Sequence, residues 1–555
     1  MSVLQRFRAR MGPWRPSEIR TTQVLLACIL LLAVFTRFWR LGTPDQCYFD
    51  EVYFPTTGAE ILRGDDQAWE FYGHENTHPP LSKLIMAVGQ GVFGRGSGGE
   101  DNHCWNDQNT KYRSTDASWD YDPFGWRFFG ALAGVGSVLF MYLIARRLFQ
   151  SEVAGLAAAF LLTFEGLAFV QSRIATPDTY VLFFVLGAVY FLISNRFLLS
   201  GVFFGAALAT KWNATFTIIP ILLYLAYRLV KGLQESKRGE RVEPLDIVLP
   251  GGLAMLYVGM ALTAYKYLGT HPDQDYEIFG GPLQAAGAVF IVLGAMAVVY
   301  SLVFVAASKW SLTGLLSDRG RVFLDVAVVF GLFFMLVPAY IYLMTYIPML
   351  LNGHAHGFLG LGDVLELNRR AYDFHSHCDP PGCAHGYSSS WFKWPVMVRP
   401  IYLYVQDWAK IYSLGNPAIF WAGLPALGFV AWRGLNLRLK RGAEAGTVTV
   451  TGALRLSRWP LLFVVLSYLG FWLPWALNPR ILFIYHYLPA VGFLVLALSY
   501  CVHWLWHRPE PWGRTAAIGF LTMTALTFIY FYPHLAAVNV SPELDESYYW
   551  FNSWR

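Results

Sequence analysis

The chain has 555 residues, of which 55% are hydrophobic, 17% aromatic and only 14% charged, with a formal net charge of +5. Soluble proteins carry about 25% charged residues, and so few cannot cover a water-facing surface of this size. An ordinary soluble enzyme, a disordered chain and a nucleic-acid-binding module are excluded, and the composition is that of a polytopic membrane protein.

Apolar runs long enough to cross ~30 Å of hydrocarbon, about 20 residues each, set the order of elements. They lie near 22–39, 128–145, 152–171, 176–194, 197–210, 214–230, 246–266, 283–307, 322–350, 415–432, 459–477, 481–505 and 514–532. With 197–210 short and 481–505 interrupted by polar residues, the expectation is an all-α bundle of 11–13 transmembrane helices. The first run follows Arg6, Arg8, Arg10, Arg15 and Arg20 and continues into Arg37-Phe38-Trp39 without a small-residue cleavage site, so it reads as an uncleaved first helix. Residues 1–21 are then a basic cytoplasmic N-terminus and 22–555 a single transmembrane domain.

Basic residues orient the bundle. The N-terminus, Arg146-Arg147, the 228–241 stretch and the 433–458 loop alternate as cytoplasmic segments. Two large loops, 40–124 and 351–413, fall on the outer side, and the first carries 14 Asp and Glu against 6 Lys and Arg. Short surface helices are expected in both, at 84–94 and at 363–377, the latter with Leu365, Ala371, Tyr372 and Phe374 on its apolar side. Cys28 and Cys501 fall within spans, whereas Cys47, Cys104, Cys378 and Cys383 fall in the outer loops, where an oxidising compartment permits bridges. Of the three pairings open to four cysteines, the reading adopted joins Cys47 to Cys104 and Cys378 to Cys383. The rival reading makes His375, His377, Cys378, Cys383 and His385 a zinc site, but the spacing fits no strong finger pattern and oxidised thiols cannot ligate. No metal is expected.

Chemistry-bearing residues gather on the outer side. Asp50-Glu51 follows the first span in an aromatic setting, Tyr48-Phe49 before and Val52-Tyr53-Phe54 after. Aromatic walls raise a carboxylate's proton affinity, which suits a general base, although two solvated acids in an interfacial belt would look the same. His78-Pro79-Pro80-Leu81-Ser82-Lys83 opens a surface helix and brings Lys83 to headgroup depth, as a phosphate ligand or as a snorkelling lysine. Arg127, Arg173, Asp178, Lys211 and Arg480-Ile481-Leu482-Phe483-Ile484-Tyr485-His486 sit at outer span ends, where charges are costly and tend to face a site. Several cations converging there suggest an anionic, lipid-borne ligand. Trp391, Trp394 and Arg399 belong to an aromatic segment that caps a cavity or lies among headgroups.

The collinear set of these pieces resembles the protein O-mannosyltransferases, glycosyltransferase family 39 of the GT-C superfamily. The segments are Asp50-Glu51, HPPLSKL at 78–84, GWRFFGAL at 125–132, QSRIATPD at 171–178, ATKWN at 209–213, GYSSSWFKWPVMVRP at 386–400, LGNPAIFW at 414–421 and RILFIYHYLPA at 480–490. Eukaryotic members insert a β-trefoil (MIR) domain in the late outer loop. Here that loop is only about 60 residues by count, so the chain looks like a prokaryotic member. The Cys378/Cys383 insertion departs from the pattern.

The resemblance implies a GT-C bundle that moves mannose, with inversion, from a polyprenyl- or dolichyl-phosphate donor to Ser/Thr hydroxyls of exported proteins at the outer face of the cell membrane. No cofactor would be obligatory; the partners would be the lipid-linked sugar, the acceptor protein and the bilayer. Asp50 would be the base and Glu51 would orient the acceptor or the loop. Arg127, Lys83, Lys211, Arg173, Arg480 and His486 would bind the donor phosphate, and His78, Asp178, Trp391, Trp394 and Arg399 would line the substrate site. Two other classes stay open: a GT-C transferase with a lipid or glycan acceptor, like the aminoarabinose transferases, and a secondary transporter. Transporters usually show internal repeats, and none is found here.

Overall fold

A backbone inside lipid must satisfy its own polar groups, which long apolar runs do by coiling into helices. The computed structural model describes residues 16–70, 76–93, 122–236, 244–269, 289–302, 316–357, 360–376, 385–435, 438–441, 448–451, 456–478 and 480–555. The helices are α1 (Pro16–Phe38), α2 (Phe54–Arg63), α3 (Leu81–Phe93), α4 (Pro123–Phe149), α5 (Glu152–Thr163), α6 (Gly166–Gln171), α7 (Pro177–Ile193), α8 (Phe197–Leu208), α9 (Ile218–Glu235) and α10 (Pro244–Gly269). After α11 (Val289–Leu302) come α12 (Asp318–Gly331), α13 (Val337–Met344), α14 (Ile347–Leu351), α15 (Gly362–Ser376), α16 (Pro417–Leu435), α17 (Trp459–Trp472), α18 (Leu488–Trp506), α19 (Pro511–Leu535) and α20 (Pro542–Ser547). Among the described residues, eight helical segments are long and apolar enough to cross a membrane, and shorter apolar helices include α5, α7, α8 and α11.

Burial sorts these helices. Nearly three quarters of the most apolar window of α18 is buried (72%), against 22% for α19, so α18 runs through the core and α19 along the rim. Small residues let the outer elements close on the bundle: a Cβ on Gly89 of α3 would stand 2.3 Å from the Gly125 carbonyl of α4.

Three local features differ from the sequence reading. The run at 152–171 is two helices, because the Glu165 carboxylate turns back to cap α6, accepting from Leu167 N at 3.1 Å and Ala168 N at 2.6 Å. α15 buries Val364, Leu367, Asn368 and Ala371, a stripe at helical spacing, and leaves Leu365 55% exposed. Its apolar side is therefore rotated from the one expected.

The third difference is a hairpin inside the late outer loop. β1 (Ile401–Gln406) pairs antiparallel with β2 (Ala409–Ser413), with Gln406 opposite Ala409. The alternating Ile401-Tyr402-Leu403-Tyr404-Val405 is strand-like in composition. Asp407 in the two-residue turn has φ +52°, a conformation that Asp tolerates better than most residues. A second short antiparallel pair, β3 (Arg438–Arg441) with β4 (Val448–Thr451), precedes α17.

Candidate active site

The site starts where α1 ends. The chain leaves Phe38, turns, and forms a single 3-10 turn over Phe49–Val52, which carries both acids. Adjacent residues on a 3-10 turn diverge by about 120°, and Asp50 and Glu51 part accordingly.

Glu51 turns inward and is fully buried. It accepts from Arg127 Nε at 2.8 Å and Nη2 at 2.7 Å, and from the Ala175 amide at 2.9 Å. The other donors of Arg127 go to carbonyls: Nη1 to Leu41 at 3.2 Å and Pro44 at 2.8 Å, Nη2 to Gln46 at 2.8 Å. A guanidinium has five N–H groups, and all are engaged. The expectation that Arg127 grips a donor phosphate gives way: it clamps the acidic turn to α4 and to the segment following α1.

Arg173 is corrected in the same way. Its Nη1 lies 3.2, 2.9 and 2.7 Å from the carbonyls of Thr36, Arg37 and Trp39, and its Nη2 lies 3.0 Å from that of Arg40. These carbonyls belong to the last turn of α1 and to the two residues just after it, where a cation is stabilising.

Asp50 faces the other way. Among the described residues its carboxylate has no hydrogen-bond or ion-pair partner; burial pushes its pKa up to about 6, opposed by Lys211 and Arg480 and helped by Asp178. Lys211 is bound by Asp178, at 3.0 and 2.9 Å to the two oxygens, and stands 5.4 Å from the centre of the Tyr485 ring. Asp178 sits in the first turn of α7, behind Pro177 at its start.

Arg480 differs from the other cations. Its Nη1 donates to His375 Nδ1 and its buried Nε–H has no partner among the described residues. Its side-chain partner among the described residues is therefore a neutral ring. Lys211 and Arg480 are the cations whose fields act most on Asp50.

The remaining expected residues divide. His78 stacks between Phe54, at 5.9 Å, and His375, at 5.0 Å, and burial holds its pKa well below the ordinary imidazole value. Lys83 is 2% exposed and donates to Asn76 Oδ1, so it points into protein and not toward a headgroup. Trp394 is 1% exposed, donates to the Ser389 carbonyl at 3.2 Å and stacks on His486 at 6.2 Å; it is core and not lining. His486 is buried, with its Nδ1 3.1 Å from the Phe483 amide and 3.0 Å from the Phe483 carbonyl. Trp391 packs on Trp472 at 5.1 Å, and Arg399 Nε donates to the Gly386 carbonyl at 2.8 Å. Cys47 is disulfide-bonded; Cys104, Cys378 and Cys383 lie outside the described residues, as does His377. Tyr48, Ala175 and Tyr485 lie in the segments singled out from the sequence, but their contacts with the site were not assigned there.

A half-buried carboxylate with raised proton affinity, in the field of two cations, can accept a proton from a hydroxyl while an anion departs. Two profiles match the chain. Residues 27–243 match the family described as dolichyl-phosphate-mannose-protein mannosyltransferase, and residues 361–554 match the C-terminal four TMM region of protein-O-mannosyltransferase.

The chain belongs to the protein O-mannosyltransferase family.

Relatives span almost all of it. A polyprenol-phosphate-mannose--protein mannosyltransferase of Mycobacterium tuberculosis is 25% identical, covering 96% of this chain and 92% of its own. Its namesake in Corynebacterium glutamicum is 24% identical over 95% and 93%. Protein O-mannosyl-transferase 1 of Homo sapiens is 28% identical over 36% of this chain. The fold is that of the S. cerevisiae protein O-mannosyltransferase Pmt1-Pmt2 complex bound to the sugar donor: TM-score 0.64, 13% identity, 98% of this chain and 93% of that one covered. The bundle is thus a GT-C fold. All the acidic and cationic groups around Asp50 except Arg480 fall within the first profile.

Proposed function

We propose that this protein is an inverting membrane glycosyltransferase that moves mannose from a polyprenyl-phosphate donor to a Ser or Thr hydroxyl of an exported protein. The names of its full-length relatives support the donor and the acceptor class, and set the transporter and lipid-acceptor readings behind this one. The membrane is the cell membrane and the reaction face is the outer one; the basic residues of the alternate loops support that orientation.

Asp50 is the base. The acceptor oxygen attacks C1 of the sugar, its proton passes to Asp50, and the C1–O bond to the phosphate breaks with its electron pair leaving on the lipid phosphate. One in-line displacement inverts the anomeric carbon. The leaving phosphate is a weak base, so it needs charge stabilisation and no acid. Lys211 and Arg480 supply that charge; Glu51, Arg127 and Arg173 fix the turn that aims Asp50. The single observation that carries this reading is the Asp50 carboxylate, without a hydrogen-bond or ion-pair partner among the described residues, pushed up to about 6 by burial and acted on by the fields of Lys211 and Arg480. Mass spectrometry of a Ser/Thr peptide, incubated with polyprenyl-phosphate mannose and the reconstituted protein, tests it. A hexose increment on the peptide is expected, and transfer to lipid alone would refute the acceptor assignment.

A further inference from the structure

Arg127 and Lys211 are each matched by a carboxylate, Glu51 and Asp178. Arg480 is held by an imidazole. We propose that His375, reached from the surface helix α15, is a positioning residue that fixes the Arg480 guanidinium beside Asp50 without cancelling its charge. The proposal rests on the reading of Asp50 as base and deepens it.

The ring is fixed on every side. His375 Nε2 lies 2.7 Å from the Thr77 carbonyl, so Nε2 carries the proton and donates, leaving Nδ1 to accept from Arg480. Its face stacks on His78 at 5.0 Å and 21°, and the Trp212 ring meets it edge-on at 6.2 Å. Burial and the Arg480 charge hold its pKa at about 3, so it stays a neutral acceptor at any working pH. Both nitrogens are occupied, which also removes His375 from the zinc reading.

A neutral acceptor suits the task. A carboxylate there would hold Arg480 as firmly but would neutralise the field that acts on Asp50 and on a departing phosphate. The charged and titratable groups facing Asp50 are Lys211, Asp178, Arg480 and Tyr485. Loss of Arg480 from this set leaves Asp50 a tighter proton binder and the phosphate one cation short.

The test uses the full-length protein in vesicles, with polyprenyl-phosphate mannose and a Ser/Thr peptide across pH 5–8, comparing His375→Leu, His375→Asn and His375→Asp. His375→Leu should raise the apparent donor KM about tenfold, the scale of one charge-assisted contact, and move the acidic limb of kcat/KM to higher pH. His375→Asn, which keeps an acceptor near the Nδ1 position, should recover most of both; His375→Asp should keep the limb high. If His375→Leu leaves donor KM and limb at wild-type values and lowers only the amount of folded protein, the proposal is overturned. Should His375→Leu not accumulate, equal limbs and equal donor KM in the Asn and Asp variants overturn it instead. Full turnover in Asp50→Asn would overturn the base reading and this one with it; an inactive Asp50→Asn beside an unmoved His375→Leu overturns the positioning role alone.

Discussion

Arg127 grips Glu51 with two parallel bonds, Nε to Oε1 at 2.8 Å and Nη2 to Oε2 at 2.7 Å, and neither side chain is exposed. Breaking one partner of a buried pair costs about 3–5 kcal/mol, because the other charge is left unpaired. Arg127→Gln and Glu51→Gln should each lower the melting temperature and the yield of folded protein. Arg127→Lys should not restore either, since an ammonium cannot present the fork that Glu51 and three carbonyls occupy. A double-mutant cycle on melting should show coupling well above 1 kcal/mol. Additive losses would contradict the clamp.

The donor cations should behave differently. Lys211→Gln and Arg480→Gln remove charge facing Asp50, and each charge-assisted bond to a phosphate is worth about 1.5–3 kcal/mol. The expected result is a loss of about ten- to a hundredfold in kcat/KM for the lipid donor, with peptide KM little changed. Donor and peptide titrations, each at fixed partner concentration, check this. A defect confined to the peptide would remove the residue from the phosphate site.

The helix order was legible because a bilayer forces apolar runs of a fixed length, and those runs cannot hide. The acidic pair was legible from its aromatic setting beside the first span. What the sequence could not show is which charge meets which. Glu51 and Arg127 are 76 positions apart, and Arg480 and His375 are 105 apart. Arg127, Arg173 and Arg480 look alike as lone cations at span ends. Only the fold distinguishes one saturated by a carboxylate and carbonyls, one turned to the carbonyls at the end of α1 and one on a neutral ring. The break at Glu165 was missed because one acid does not end an apolar run in the sequence, and only its bonds reveal a helix cap.

The bridged state of Cys47 bears on the first outer loop. Non-reducing peptide mapping should join Cys47 to Cys104 and Cys378 to Cys383. Closing a loop of that length with the first bridge is worth about 4 kcal/mol in the chain-entropy account, so Cys47→Ser should melt several degrees lower. A peptide joining Cys47 to Cys378 or Cys383 would contradict the pairing.

Stability should respond to Asp50 in the opposite sense to activity. Its folded pKa of about 6 lies above the ordinary 3.8, so the folded state binds the proton more tightly than the unfolded chain does. Asp50 therefore costs stability progressively as pH rises from about 4 to about 6, and the cost persists above that. Asp50→Asn should melt higher than wild type at pH 7.5, with the difference shrinking as pH falls toward 4. Equal melting at both pH values would contradict the raised pKa.

Activity as a function of pH in wild type and Asp50→Asn is the most direct measurement of the account. The base must be ionised, so wild-type kcat/KM should fall about tenfold per pH unit below about 6 and level off above it. Asp50→Asn, folded and membrane-inserted, should lose at least about 10²–10⁴-fold in turnover at saturating donor, with no acidic limb remaining. Near-normal turnover in Asp50→Asn, or an unchanged limb near pH 6 in its residual activity, would contradict the assignment of Asp50 as the base.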